Sequence, residues 1–284
     1  MTNPGFYRRR VGAYTVTAVN DGTLDLSPAI LRGIAESDAA ALVAKRFGGR
    51  KSYGFVNTYL LQGEGKTILI DTGAAGGMGP TLGRLLPNLA AAGVAPADVD
   101  MVLLTHFHPD HSAGLVTAEG AAVFPNASVS ASAAEAAFWI DTDPDSAPEP
   151  LRPYLAAARA AVAPYGDAFT RLGTQPVAPG VTPVPLPGHT PGHTGYRVGD
   201  GADALLIWGD IMHMPDVQAP HPEVTVMFDL DPVQAEASRR GVLEMVVAER
   251  MAVGGMHLHF PGFSRVDRVG SGYLVVGEPW SPEA

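Results

Sequence analysis

Residues 103–115 read LLTHFHPDHSAGL, which sets His106, His108, Asp110 and His111 directly behind an apolar run. The chain has 0 cysteines, so thiolate nucleophiles, disulfides and every cysteine-containing metal site are excluded. Imidazole and carboxylate are the metal ligands that remain. In a tight loop, alternate residues such as His106 and His108 can point to one centre while the adjacent pair Asp110-His111 points to another, so one short loop can serve two metals. Two ions ~3.5 to 4 Å apart need a bridging carboxylate and a bridging hydroxide, and Asp210, isolated behind a buried run, suits the first role.

The other candidates fall where a strand would release them. TILI ends in Asp71, VDMVLLT in His106, VTPVPLP in Gly188-His189, ALLIWG in Asp210 and MAVGGM in His257. Taken singly, a histidine after a strand is most often a loop or core residue. Taken as a set, these ends imply strands of an α/β fold whose carboxyl ends share one edge, where ligand sites of such folds gather.

The elements that must position them are short. The first strand is expected to start near Val11, with Tyr14 to Val19 alternating before an Asn20-Asp21-Gly22 turn. Phe55 to Leu61 and Thr67 to Ile70 read as a hairpin. Thr81 to Ala92 carries leucines at helical spacing, with a kink expected at Pro87, and Pro150 to Pro164 is an Ala-rich helix. Ser132 and Glu135 form a capping box opening AAEAAFWI, Asp231-Pro232 caps a helix ending near Arg250, and 141–150 reads as a surface loop.

Composition narrows the function classes. The formal charge is −10 with a pI near 5.3, so the chain lacks the basic footprint that a phosphate backbone demands, and nucleic acid is not an expected partner. No run of 18 apolar residues occurs, so no membrane span is expected. The N-terminal residues lack an unbroken apolar segment of the signal-peptide kind, and a cytoplasmic protein is expected. At 284 residues the chain is read as one domain, 1–284, with its N-terminal strands part of the same unit.

THFHPDH, with IDTG upstream and GHTPGH, GD and GMHLHFPG downstream, resembles the metallo-β-lactamase superfamily over nearly the whole chain. Within it, residues 70–76, GPTLGRL from Gly79, FPNA from Phe124, AAFW ending at Trp139 and HLHFPG from His257 look like the methyl parathion hydrolase subgroup and its lactonase relatives. The resemblance implies an α/β fold, an αββα sandwich of two mixed sheets flanked by helices. It implies one metal on His106, His108 and His189, the other on Asp110, His111 and His257, and Asp210 bridging. Asp71 would orient a ligand imidazole, while His193 and His259 would pack behind the ligands or support them. The ions would be zinc, with iron, manganese or cobalt also compatible. The subgroup's dimers imply a homodimer.

Two departures bear on the substrate. Met78 stands where the parathion hydrolases carry a pocket aromatic, although Trp139 is retained beside Phe138. His213, three residues after Asp210, stands where lactonases of the superfamily carry a carbonyl-polarising tyrosine and parathion hydrolases are apolar. It could donate to a substrate or simply pack under the site. The implied activity is hydrolysis of a small molecule, a lactone or carboxylic ester, by a metal-bridging hydroxide, with Asp110 passing a proton to the leaving oxygen. Phosphotriester turnover is expected as a side activity. The alternatives are phosphotriester hydrolysis as the main activity and an iron-dependent persulfide dioxygenase, which uses fewer ligands.

Overall fold

Successive residues of the central strands point to opposite faces, and that alternation builds the layers. Leu61, Ile68, Ile70 and Leu103 of one sheet share a buried cluster with Val181, Tyr196, Leu205 and Ile207 of a second. Their neighbours Leu60, Leu69, Val102 and Leu104 face the other way, against Leu85 and Leu89 of helix Leu85–Ala91 and Leu155, Ala158 and Val162 of helix Arg152–Val162. Beyond the second sheet, Leu206 and Val253 meet Val242, Leu243 and Val246 of helix Pro232–Ala248. The layers therefore run helix, sheet, sheet, helix: the αββα sandwich of the metallo-β-lactamase fold. Burying a large aliphatic side chain of these layers contributes about 1.5–3 kcal/mol, so the clusters between the sheets and under the helices together support the edge that carries the site. The computed structural model describes residues 3–48 and 53–282.

The first sheet runs Phe6–Val11, Tyr14–Leu24, Gly54–Gly63, Lys66–Ile70, Met101–Leu103, Ser128–Ser132 and Phe169–Leu172 in spatial order. It is antiparallel through its hairpins and parallel from Lys66–Ile70 onward. In the second sheet Leu205–Ile207 lies parallel to Ala252–Gly254. Val181–Pro185 runs in the same direction, because Thr194–Val198 lies antiparallel to both it and Leu205–Ile207. Five of these strands, Lys66–Ile70, Met101–Leu103, Val181–Pro185, Leu205–Ile207 and Ala252–Gly254, are those expected from the sequence to release candidate ligands, and the residues that follow them meet at one edge.

Several local expectations are corrected. The first strand begins at Phe6 and ends at Val11. Its arginines fit an edge strand because Arg8 lies over the Phe6 ring and Arg9 pairs with Glu278. Asn20-Asp21-Gly22 is not a turn: the strand continues to Leu24 with a register shift between Asn20 and Gly22. The buried Asp21 carboxylate accepts from the Ala74 and Leu85 N–H groups there, so those letters serve a distant loop and a helix start. The helix expected from Thr81 begins only at Leu85, which puts Pro87 in its first turn, where a missing N–H costs nothing and no kink follows. Ser132 caps the Glu135 N–H, but the Glu135 carboxylate turns away from the helix. Residues 141–150 form two single 3₁₀ turns, Pro144–Ser146 and Glu149–Leu151. Helix Pro232–Ala248 is capped by the Asp231 side chain as expected. Among the described residues no helix is long and apolar enough to cross a membrane.

Candidate metal centre

The strand ends deliver His106, His108, Asp110, His111, His189, Asp210 and His257 to one buried cluster. Asp210 lies at its middle. Its Oδ1 is 3.2 Å from His111 Nε2, and its Oδ2 is 3.3 Å from His189 Nε2, 3.2 Å from His257 Nε2 and 3.6 Å from His106 Nε2. Asp110 Oδ2 lies 3.5 Å from His257 Nε2 and 3.6 Å from His111 Nε2. His108 Nδ1 stands 2.9 Å from His189 Nε2.

The outward nitrogens of four of these histidines are fixed by acceptors behind them, which turns each Nε2 inward, where a metal ion can take the place of any proton it carries. The carboxylate of Asp71 accepts from His111 Nδ1 at 2.8 Å, and from the Thr105 N–H and Oγ1 at 2.7 Å each. With its own proton directed to Asp71, Thr105 Oγ1 is free to accept from His106 Nδ1 at 3.0 Å. Asp229 Oδ1 accepts from His189 Nδ1 at 2.8 Å, and the Phe55 carbonyl accepts from His257 Nδ1 at 2.7 Å. Inside the ring of ligands, His106 Nε2, His111 Nε2 and Asp210 Oδ1 are buried without any hydrogen-bond partner. Buried polar atoms are rarely left this way, and their convergence is what a bound cation satisfies.

The charge balance agrees. Burial alone would raise Asp210, but His111, His257, His106 and His213 around it hold its carboxyl well below the usual range. Burial lowers His106 and His108, with the neighbouring imidazoles adding to the effect, so both stay neutral and able to bind a metal. On His111 burial is outweighed by Asp210, Asp110 and Asp71, which raise it. Three carboxylates facing one imidazole are a surplus of negative charge that a divalent ion would neutralise.

The remaining sequence candidates sit around this cluster. His193 is buried with Nδ1 donating to the Leu186 carbonyl at 2.9 Å and Nε2 accepting from the Asp210 N–H at 2.9 Å, so neither nitrogen faces the ligand atoms. His259 pairs with Asp216 at 2.9 Å instead of a candidate ligand. Trp139 is buried edge-on to His108 at 5.5 Å, and the half-buried Phe138 packs on Trp139. Met78 is 44% exposed on its loop. His213 Nε2 is 3.1 Å from Asp210 Oδ2, its ring stacks on His257 at 4.8 Å, and it borders a cleft lined by Leu26, Tyr53, Met214 and His259. With Asp210 and His257 it makes a third group able to hold a metal. Sequence reasoning missed Asp229, which follows no strand of the two main sheets, and missed Thr105, although it lies inside the THFHPDH motif.

Residues 52–257 match the family described as the Metallo-beta-lactamase superfamily. The fold overlays the crystal structure of hydrolase AbOPH in beta lactamase superfamily with a TM-score of 0.92 at 30% identity, covering 99% of this chain and 100% of that one. It overlays AidC, a dizinc quorum-quenching lactonase in complex with a product, with a TM-score of 0.90 at 24% identity, covering 98% of each chain. Metallo-beta-lactamase domain-containing protein 1 of Mus musculus is 40% identical over 96 residues, which are 34% of this chain and 32% of that protein. The matched part is thus about a third of that relative's length.

Proposed function

Since the chain belongs to the metallo-beta-lactamase superfamily and is a metal-dependent hydrolase, we propose that it opens lactones or cleaves carboxylic esters at a pair of zinc ions. The observation that carries this reading is the convergence of the unpartnered His106 Nε2, His111 Nε2 and Asp210 Oδ1 inside one ring of ligands. His106, His108 and His189 would hold one ion, Asp110, His111 and His257 the other, and Asp210 would serve both. Such a pair would supply a nucleophilic hydroxide at neutral pH, by lowering the pKa of water from ~15.7 toward ~7, and a positive charge for the acyl oxygen. Asp71, Thr105, Asp229 and the Phe55 carbonyl keep the imidazoles aimed. Asp110, with its side chain 12% exposed against 2% for Asp210, is the carboxylate that reaches an incoming substrate; it would take the proton of the hydroxyl group that has added to the acyl carbon and pass it to the leaving oxygen as the acyl C–O bond breaks.

His213 supplies the donor for the acyl oxygen from the face of the cluster that borders the cleft. Phe228, 40% exposed with its ring 6.2 Å from His213, places apolar surface beside that imidazole, which suits the acyl portion of an ester or lactone. The dizinc lactonase of the same fold is in keeping with this reading.

The test is a panel of lactones, aryl esters, aryl phosphotriesters and a β-lactam, run on the wild type and on His213→Leu. Lactone or ester turnover should exceed the others in the wild type. In the variant kcat for those substrates should fall by ~10²-fold or somewhat less, the lower end for an oxyanion donor, while phosphotriester turnover falls less and both metals stay bound. Equal losses for both substrate classes at full metal content would remove His213 from the chemistry. Loss of a metal equivalent would make it a ligand instead.

A further inference from the structure

One buried carboxylate ties together two ligand loops that are distant in sequence. Glu135 is 0% exposed. Its Oε1 accepts from the Phe107 N–H at 3.0 Å, and its Oε2 accepts from Thr190 Oγ1 at 2.7 Å and from the Gly192 N–H at 2.9 Å. Phe107 lies between His106 and His108, while Thr190 and Gly192 follow His189. Ser132 grips the same turn by donating to the Gly192 carbonyl at 2.7 Å. The fit is close enough that a Cβ on Gly192 would stand 2.0 Å from the Glu135 nitrogen.

A glutamate that only capped its own helix would turn back to the Ser132 N–H at the surface. Burying this carboxylate is costly, and burial pushes its pKa up to about 7 against the donors that favour the charged form. The arrangement has a use if those donors must be held in place. We propose that Glu135 is a positioning residue that sets the separation of the His106/His108 loop from the His189 loop, and thereby the affinity of the metal site those three histidines form. The inference rests on the reading that they hold one ion. Glu135 acts through the backbone: Oε1 fixes the peptide between two of the ligands, and Oε2 fixes the turn after the third. In the other trio, His111 is held by Asp71 and His257 by the Phe55 carbonyl, so the effect should be confined to one ion.

The test measures zinc affinity by chelator competition on the purified full chain in two backgrounds. His257→Ala leaves the His106/His108/His189 trio intact, and His108→Ala leaves the other. Glu135→Gln keeps the shape but turns one acceptor into a donor. It should weaken zinc about 10- to 100-fold in the first background and less than about 3-fold in the second, the range seen for groups that support metal ligands. The visible spectrum of cobalt bound in the first background should change as well. Equal weakening in both backgrounds, or none in the first, overturns the proposal. Should Glu135→Gln fail to fold, Thr190→Val removes a single donor and should show the same asymmetry at about 2- to 10-fold. A wild type that binds only one ion overturns the dinuclear reading instead, and Glu135 is then judged by whether Glu135→Gln weakens that ion.

Discussion

Asp71→Asn is the sharpest test of how the cluster is supported. The substitution keeps the side chain's shape, and asparagine tolerates the left-handed φ of 61° that position 71 adopts. What changes is acceptor capacity. The carboxylate accepts from the Thr105 N–H on Oδ1 and from Thr105 Oγ1 and His111 Nδ1 on Oδ2. An amide nitrogen on the Oδ2 side would oppose two donors, so it settles on the Oδ1 side and opposes the Thr105 N–H alone. His111 then keeps a neutral acceptor but loses the charge behind it. Hydrogen bonds to a charged group are worth about 1.5–3 kcal/mol against about 0.5–1.5 for neutral ones, so His111 becomes a weaker ligand by roughly 1–2 kcal/mol. At about 1.4 kcal/mol per decade, that weakens the ion on Asp110, His111 and His257 by about 5- to 30-fold. The assay is zinc titration of the metal-free variant against a chromophoric chelator. One ion should weaken by that amount while the other stays within about 3-fold of wild type, as expected for an outer-shell change. Equal weakening of both ions, or of neither, would refute the reasoning.

His193→Ala should retain both metals, because its nitrogens serve the Leu186 carbonyl and the Asp210 N–H. Leaving those groups unpaired beside a new cavity should cost about 2–5 kcal/mol of stability, read by denaturant unfolding of the metal-free protein; loss of one metal equivalent would make His193 a ligand. Asp229→Asn takes the charge from behind His189 and should weaken the ion on His106, His108 and His189 about 10-fold or more by chelator competition, sparing the other ion. An unchanged affinity there would mean that Asp229 serves only the Val226 N–H and the nearby Arg239.

The sandwich and the gathering of these histidines and aspartates were legible because burial and strand ends follow the same local rule. Ile70, Leu103 and Ile207 are apolar strand residues whose burial fixes where each strand ends, and Asp71, His106 and Asp210 follow those ends in sequence. Supporting groups obey no such rule. Asp229 meets His189 at a separation of 40 residues, and Glu135 meets Phe107 and Gly192 at 28 and 57. Glu135 carries the letters of a capping box and Asp21 those of a turn, yet a distant donor claims each carboxylate. Local propensity set the expectation, and tertiary hydrogen bonding decided the outcome.

The most direct measurement of the central claim, that Asp210 joins two ions in one centre, is metal content by elemental analysis of wild type and Asp210→Ala after equal loading and dialysis. Both Asp210 oxygens face candidate ligand histidines: Oδ1 lies 3.2 Å from His111, while Oδ2 lies 3.3 Å from His189 and 3.2 Å from His257, so the carboxylate borders both trios. Two equivalents in the wild type and near-complete loss of both in a folded Asp210→Ala is the predicted result, because a bridging carboxylate serves both ions while each terminal ligand serves one. A wild type that holds a single equivalent, or an Asp210→Ala that keeps two, would contradict it.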